Sequence, residues 1–498
     1  MQYDVIVVGA GNAALCAALM AHENGAKVLI LESAPKSARG GNSFFSGGWM
    51  RFTHDGAEDL GSTFPELALT GKEDFDVLRY PDNEFFDDMA SITEYRGDPE
   101  LTSLVVKESR KAMEWLHAKG IRLVFTFSKQ GLKHNKRYQV GGGSIAVSGG
   151  GAGLVEKLFE NVEKTGIEIS YQTRAIELLG IPGSCVTGVK VRNSKGEILD
   201  INAHSVVLAS GGFGASAEKR TRYLGPGWDL AKLRGSEYNL GDGIDMALAF
   251  GAKSSGHWSG SHAVAWDASA PTSGDRNRGN EFSRNAYTMG IMVNKNAERF
   301  LDEGVDYSAI TYGKIGTEIM RQPDSMAYQI FDSKVLDILD PNYNGRQVSK
   351  ITAQSVEELA KKLDLDPIIL AHTIANFNVS VDESKTFDPN CKDGKSTIGL
   401  IPKKSNWANR IDEAPYVAFP VTTGLTFTFG GVHVDEKAQI IDTQNRPIQG
   451  LFAAGELVGG IFYYSSPSGA GLTAGTVLGR TAGHQAALSV RNNYSQSK

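Results

Sequence analysis

The sequence predicts an α/β fold in which a nucleotide-binding sheet domain is interrupted by an α+β capping unit. Three observations predict it. An apolar strand at the start, YDVIVV, runs straight into the glycine-rich turn GAGNAA. Two further apolar strands, far apart in the chain, end in Ser210-Gly211-Gly212 and Gly455-Glu456. Between them, residues from about 259 to 424 mix short strand and helix patterns and carry no dinucleotide signal.

The first element is the most explicit. Val5 to Val8 form a continuous apolar run, as a buried parallel strand does. Gly9, Gly11 and Ala14 then spell GxGxxA. Gly9 permits a tight turn, Gly11 lets a pyrophosphate approach the backbone, and Ala14 is small where helix crosses strand. Asn12 and Ala13 open a helix whose amide-rich, positive end points at the phosphates. Gly25 ends that helix, Lys27 to Leu31 form the second strand, and Glu32 and Ser33 follow. A carboxylate at this place accepts a ribose hydroxyl, the alternative being an exposed strand-end acid.

Composition bounds the rest. The chain has 498 residues, enough for two or three domains. A net charge of −6 leaves no basic footprint, so nucleic acid is not an expected partner. Cys16, Cys185 and Cys391 are odd in number and widely spaced, so neither a disulfide framework nor a CxxC metal site is expected. The immediate strand at the N-terminus and the lack of a long apolar run give the expectation of a soluble, cytoplasmic protein without a signal peptide.

The later elements return to the first sheet. A hairpin turns at Asn193 to Gly196, and a buried strand leads through Ala209 into Ser210 and Gly211. A second hairpin leads to the strand Leu451 to Ala453. The segment KSARGGNSFFSGGWMRF supplies a glycine-rich loop holding Gly40, Gly41, Asn42, Ser43, Gly47 and Gly48. Ala175 joins the expected cofactor contacts. The segment SGAGLTAGT starts a glycine-rich helix at Gly471, Leu472 and Thr473. The expected organisation is a first nucleotide-binding part at 1–258, a capping unit at 259–424 and a second nucleotide-binding part at 425–498. A mainly helical insertion falls near Asn83 to Lys119.

Two strand-to-glycine turns returning to one sheet resemble FAD-containing oxidoreductases of glutathione-reductase-like topology, with a Rossmann-like core. That resemblance implies FAD, backbone contacts from Gly455 and a ribityl contact from Glu456. Relatives that attach FAD covalently place a histidine in the flavin loop, and Arg39 to Gly48 contains none, so non-covalent FAD is expected. The plan with a cap resembles the fumarate reductase and succinate dehydrogenase flavoproteins. Within that group GAGNAALCAAL, RGGNS, HWSGSHAVAWDASAP, YTMGIMVN and RFLDEGVDYSAITYGKIGTEIMRQP resemble the tricarballylate dehydrogenase subgroup. The resemblance implies dehydrogenation of a tricarballylate-like carboxylate to cis-aconitate. It also implies reoxidation by an external acceptor, a membrane-associated iron–sulphur protein.

The resemblance also locates catalytic candidates. Fumarate reductases keep a proton-delivering arginine four residues after the glutamate of a similar RFxNE segment, and that place is Tyr307. Their active-site histidine falls at Phe427 and their second carboxylate-binding arginine near Ser466, so three fumarate-site residues are absent. Tyr307 is therefore expected to move the proton, with Lys314 or Arg284 assisting and Tyr463 or Tyr464 as alternatives. On periodicity alone, Tyr307, Thr311 and Lys314 equally form a solvated face, and Tyr312 joins Ile315 and Ile319 in a core stripe. Arg276, Arg278 and Arg284 are candidates for the carboxylate, Arg284 first and Arg51 behind them. His262 either holds a carboxylate or is a satisfied structural histidine. The alternatives to a dehydrogenase are an enoate reductase, a 3-ketosteroid-type enzyme and a flavin-binding subunit without turnover.

Overall fold

The computed structural model describes residues 3–71, 75–126, 133–134, 137–345 and 348–496. Strand β1 (Tyr3–Val8), helix α1 (Asn12–Glu23) and strand β2 (Val28–Leu31) form the expected βαβ unit. Helices α2 (Asp82–Ile92) and α3 (Pro99–Ala118) follow as the helical insertion. Asp98 starts α3 by accepting hydrogen bonds from the amides of Glu100 and Leu101, an N-cap followed by proline at the first helical position. Strands β3 (Glu168–Ser170), β4 (Arg174–Ile181), β5 (Cys185–Arg192) and β6 (Ile198–Leu208) then return to the first sheet.

A second set of strands comes next: β7 (Lys232–Leu233), β8 (Ser254–Asp267) and β9 (Ile291–Asn294). Helix α4 (Ser308–Met320) is followed by β10 (Ala327–Phe331), β11 (Ile351–Ala353) and the 17-residue β12 (Tyr416–Val432). The chain closes with β13 (Gln439–Ile441), β14 (Pro447–Ala453) and helix α5 (Ala470–Gln496).

The first sheet contains a parallel run in the order β14-β6-β1-β2-β3, with the hairpin β4–β5 and strand β13 attached at one side. Val5, Ile6 and Val7 are fully buried, as a central parallel strand requires. Helices α1 and α5 pack on this sheet. The turn after β1 depends on Gly9, whose φ is +107°; a Cβ there would meet the Ala209 carbonyl oxygen at 2.5 Å. The ends of β1 and β6 therefore close onto each other at the sheet's carboxyl edge, where α/β sheets bind ligands.

The second sheet is built around β12, which pairs with β7, β8, β10 and β11, while β9 pairs with β10. The pairing of β8 with β12 shifts register between His257 and Ser261 and again between His262 and Ala263. These irregularities set His262 opposite Phe427. Helix α4 lies across β8 and β12. The boundaries expected at 258/259 and 424/425 fall inside β8 and β12, because strand pairing carries residues 254–258 and 425–432 into the second sheet.

Candidate active site

One cavity runs from the β1–α1 turn to the second sheet, with about 1520 Å³ of empty space, part of it open to solvent. Its walls at one end are Gly9, Gly11, Asn12, Ala13, Glu32 and Ser33. Its middle is lined by Gly41, Asn42, Ser43, Gly47 and Gly48, with Ala175, Ala209, Ser210 and Gly211 across from them. Gly455, Glu456, Gly471 and Leu472 complete this part. Two expected contacts do not reach it. Gly40 is turned under the loop, where a Cβ would meet Val155 Cγ2 at 3.0 Å. Thr473 is fully buried, its hydroxyl accepting from the Arg51 amide.

The polar groups along these walls suit a dinucleotide. Glu32 is 6% exposed, and burial raises its pKa against hydrogen bonds from Ala34 and Ser33. Ser210 Oγ and Asn239 Oδ1 are buried with no partner in the protein, though both residues line the cavity. Burial raises Glu456 to about 7, opposed by hydrogen bonds from Thr428, Gly212 and Asn239. Asn42 donates to the Thr426 carbonyl and to Glu456, tying the glycine-rich loop to the second sheet.

The far end carries different chemistry. Here the lining residues are Arg234, His262, Tyr312, Thr426, Phe427 and Ser466. The rings of His262 and Tyr312 meet edge-on, 4.8 Å between centroids. Burial, reinforced by Arg234, lowers His262 to about 3, so its imidazole is neutral; its Nδ1 is buried without a partner. Burial also raises the Tyr312 phenol, opposed by Arg234, by a hydrogen bond with Ser468 and by Arg51. Arg234 is 6% exposed. Its Nε donates to Asn280 Oδ1 and its Nη1 to Thr426 Oγ1, and its Cζ lies 5.6 Å from the Trp266 ring centroid.

Several expected catalytic positions are corrected. Tyr307 does not line the cavity. It is the N-cap of α4, and its ring packs 5.5 Å from that of Trp407. Tyr312, expected in the core stripe, faces the cavity instead, while Ile315 and Ile319 are buried. Arg284 is 1% exposed and bound to the fully buried Asp267 at 2.8 Å, so it is an internal ion pair away from the cavity. Tyr464 stands outside as well, against His257 and beneath Arg96 and Lys314. Tyr463 stacks on His257, and Lys314 pairs with Glu94.

The remaining arginines are occupied too. Arg51 binds Asp88, Tyr80 and the Ser468 carbonyl. Arg276 stacks on Phe44, and Arg278 pairs with Glu281. His262 is the expected catalytic residue that the cavity does contain. Arg234, Ser236, Tyr238 and Asn239 were not expected there. Their signal in the sequence is the polar, glycine-punctuated run LRGSEYNLGDGID, some way beyond the Gly211 turn.

A nucleotide-binding sheet whose cavity ends at a second sheet defines a flavoprotein of the oxidoreductase type. Residues 4–472 match the FAD binding domain family FAD_binding_2, and the chain belongs to it. Its cofactor is FAD, and it is an oxidoreductase. The chain is 29% identical to the probable fumarate reductase Ifc3 of Shewanella frigidimarina, over 97% of this chain and 74% of that protein. It is 28% identical to a urocanate reductase of Eggerthella lenta, over 97% of this chain and 74% of that protein. Among solved structures, the open conformation of a flavocytochrome c3 fumarate reductase superposes with a TM-score of 0.75 at 26% identity, covering 98% of this chain and 78% of that one. Among the described residues no helix is long and apolar enough to cross a membrane. Nor do the described residues contain a group of three or more His, Cys, Asp or Glu able to hold a metal ion.

Proposed function

We propose that this chain interconverts a CH–CH and a C=C bond beside a carboxylate or carbonyl, using a Rossmann-like FAD-binding domain and a cap. One observation carries the reading. The cavity lined by the dinucleotide fingerprint continues to a phenol, a neutral imidazole and a buried guanidinium on the other side. FAD, when bound, supplies the hydride exchange, and the protein supplies orientation and charge.

Gly9, Gly11 and Asn12 would hold the pyrophosphate, Glu32 the ribose, and Gly455 with Glu456 the ribityl chain and flavin. Tyr312 is the group placed to hold or move a proton at the substrate carbon α to the carboxylate. Its phenol, raised by burial, is protonated at neutral pH, which suits proton donation and hence reduction of C=C. Dehydrogenation by the same residue needs the pull of Arg234 to make it a base. Phe427 covers the substrate with apolar surface. An external electron donor or acceptor completes the cycle, and the family resemblance implies a membrane-associated iron–sulphur protein.

The tricarballylate reading requires cations for three carboxylates. Among the described residues lining the far end, the guanidinium without a carboxylate partner is that of Arg234, so monocarboxylates come first. The test is anaerobic. Reduced holoenzyme is mixed with fumarate, urocanate, cinnamate and cyclohexenone, and oxidised holoenzyme with succinate and tricarballylate. Return or loss of the visible flavin band with at least one compound is expected. FAD retained without exchange in either direction would leave a flavin-binding subunit and overturn the reading.

A further inference from the structure

Arg234 sits at the end of β7 and projects into the cavity's far end. A guanidinium presents five donors in a fixed fork. Two of its nitrogens are held by neutral oxygens, Asn280 Oδ1 and Thr426 Oγ1, which set the plane of the fork. Among the described residues Nη2 donates to no protein group. No carboxylate among the described residues lies within ion-pair distance of Arg234, in contrast to the Arg284–Asp267 and Arg299–Glu303 pairs deeper in the second sheet. A buried cation without a counter-ion is costly unless a ligand supplies the charge. Burial accordingly lowers its pKa, and the main opposing influence is the neighbouring Tyr312. A second buried polar group, His262 with its unpartnered Nδ1, lines the same end.

The apolar side is equally defined. Phe427 faces this end and packs on Phe429 and Phe462, their ring centroids 5.8 Å away in each case. Neither Tyr307 nor Ser466, where the resembled fumarate reductases keep arginines, carries a charge here. The cavity's unpaired guanidinium instead follows β7, and Phe427 stands where those enzymes keep a histidine.

We propose that Arg234 is the seat of the substrate carboxylate, and that the substrate class is a monocarboxylate whose remainder is apolar. This rests on the reading above and deepens it. With the carboxylate held by Nη2, the adjoining carbons lie between Phe427 and Tyr312. In the reducing direction Tyr312 would give its proton to Cα, and FAD, when bound, would supply the hydride that Cβ takes. The C=C π pair is thereby consumed, and a phenolate remains to be reprotonated from solvent.

The test is equilibrium binding of cinnamate, fumarate and tricarballylate to oxidised holoenzyme, followed by perturbation of the flavin spectrum. The variants are Arg234→Gln and Arg234→Lys, each checked for FAD content and melting temperature. Cinnamate is expected to bind wild type more tightly than either polycarboxylate. Arg234→Gln should weaken it at least roughly 30-fold, as loss of a buried charged partner does, and Arg234→Lys should weaken it less. Should Arg234→Gln not fold, a folded Arg234→Lys decides: cinnamate binding as tight as wild type overturns the seat's dependence on the guanidinium fork. Unchanged binding in Arg234→Gln overturns the seat, and preference for tricarballylate overturns the substrate class. If no carboxylate binds, yet cyclohexenone reoxidises wild type and Arg234→Gln equally, the seat fails and the oxidoreductase reading stands. If nothing binds or exchanges, both fall.

Discussion

At the residue scale, of the two tyrosines in the DYSAITYGK stretch it is Tyr312, rather than the expected Tyr307, that stands at the cavity. Tyr307 is the non-helical N-cap of α4 and Tyr312 lies within the helix, and of the two only Tyr312 lines the cavity. Tyr312 is the one that faces it, beside His262 and within the field of Arg234. Tyr312→Phe should retain FAD and fold, yet slow flavin exchange with the active substrate by roughly 10²–10⁴-fold, the loss expected for a general acid or base. Tyr307→Phe removes a hydroxyl that lies away from the cavity and should change the rate little. Stopped-flow measurements on both variants check this; a wild-type rate in Tyr312→Phe would exclude it as the proton carrier.

At the element scale the site depends on how closely α4 lies on β8. Gly313 and Gly316 form the contact face. A Cβ at Gly316 would meet backbone atoms, Ala263 C at 2.5 Å and Val264 N at 2.7 Å, and one at Gly313 would meet Ser465 Oγ at 2.7 Å. Backbone cannot yield as a side-chain tip can. Gly316→Ala gains about 1 kcal/mol of helix propensity, but overpacking costs about 1–3 kcal/mol and lifts the helix carrying Tyr312. The expected result is a lower melting temperature together with slower flavin exchange. A higher melting temperature would show that the helix has room. The hydrophobic spacing of this helix was readable in advance, as buried Ile315 and Ile319 show, but not which flank the cavity would meet.

At the scale of the whole molecule, one cavity is lined by residues of both sheets. Among the described lining residues there is no cysteine, and the histidine, His262, stands at the Arg234 end. Acid precipitation should therefore release all flavin into the supernatant, and a yellow pellet would overturn non-covalent binding. Because the cavity expected to hold FAD is lined by segments as distant as Gly9 and Gly471, removal of FAD should destabilise the protein as a unit. Free FAD at a hundred times its Kd is worth about 2.7 kcal/mol to the folded state, to be read as a higher melting temperature for holoprotein than for apoprotein.

The sequence alone determined the nucleotide-binding sheet. Its evidence is local: the buried run Val5 to Val8, the GxGxxA turn and Glu32 lie within one βαβ unit, where period and turn chemistry leave little choice. Most of the expected cofactor wall lies along the cavity for the same reason, whereas Gly40 and Thr473 turned away within their own loop and helix. The far end is assembled from β7, β8, α4 and β12, segments separated by as much as the whole interrupting unit. Only the tertiary structure decided that Arg284 meets Asp267 inside the second sheet while Arg234 stays unpaired at the cavity. Both are arginines in polar surroundings, and what separates them is whether the fold brings a carboxylate within reach, which depends on strand register and helix rotation rather than on neighbours in the chain.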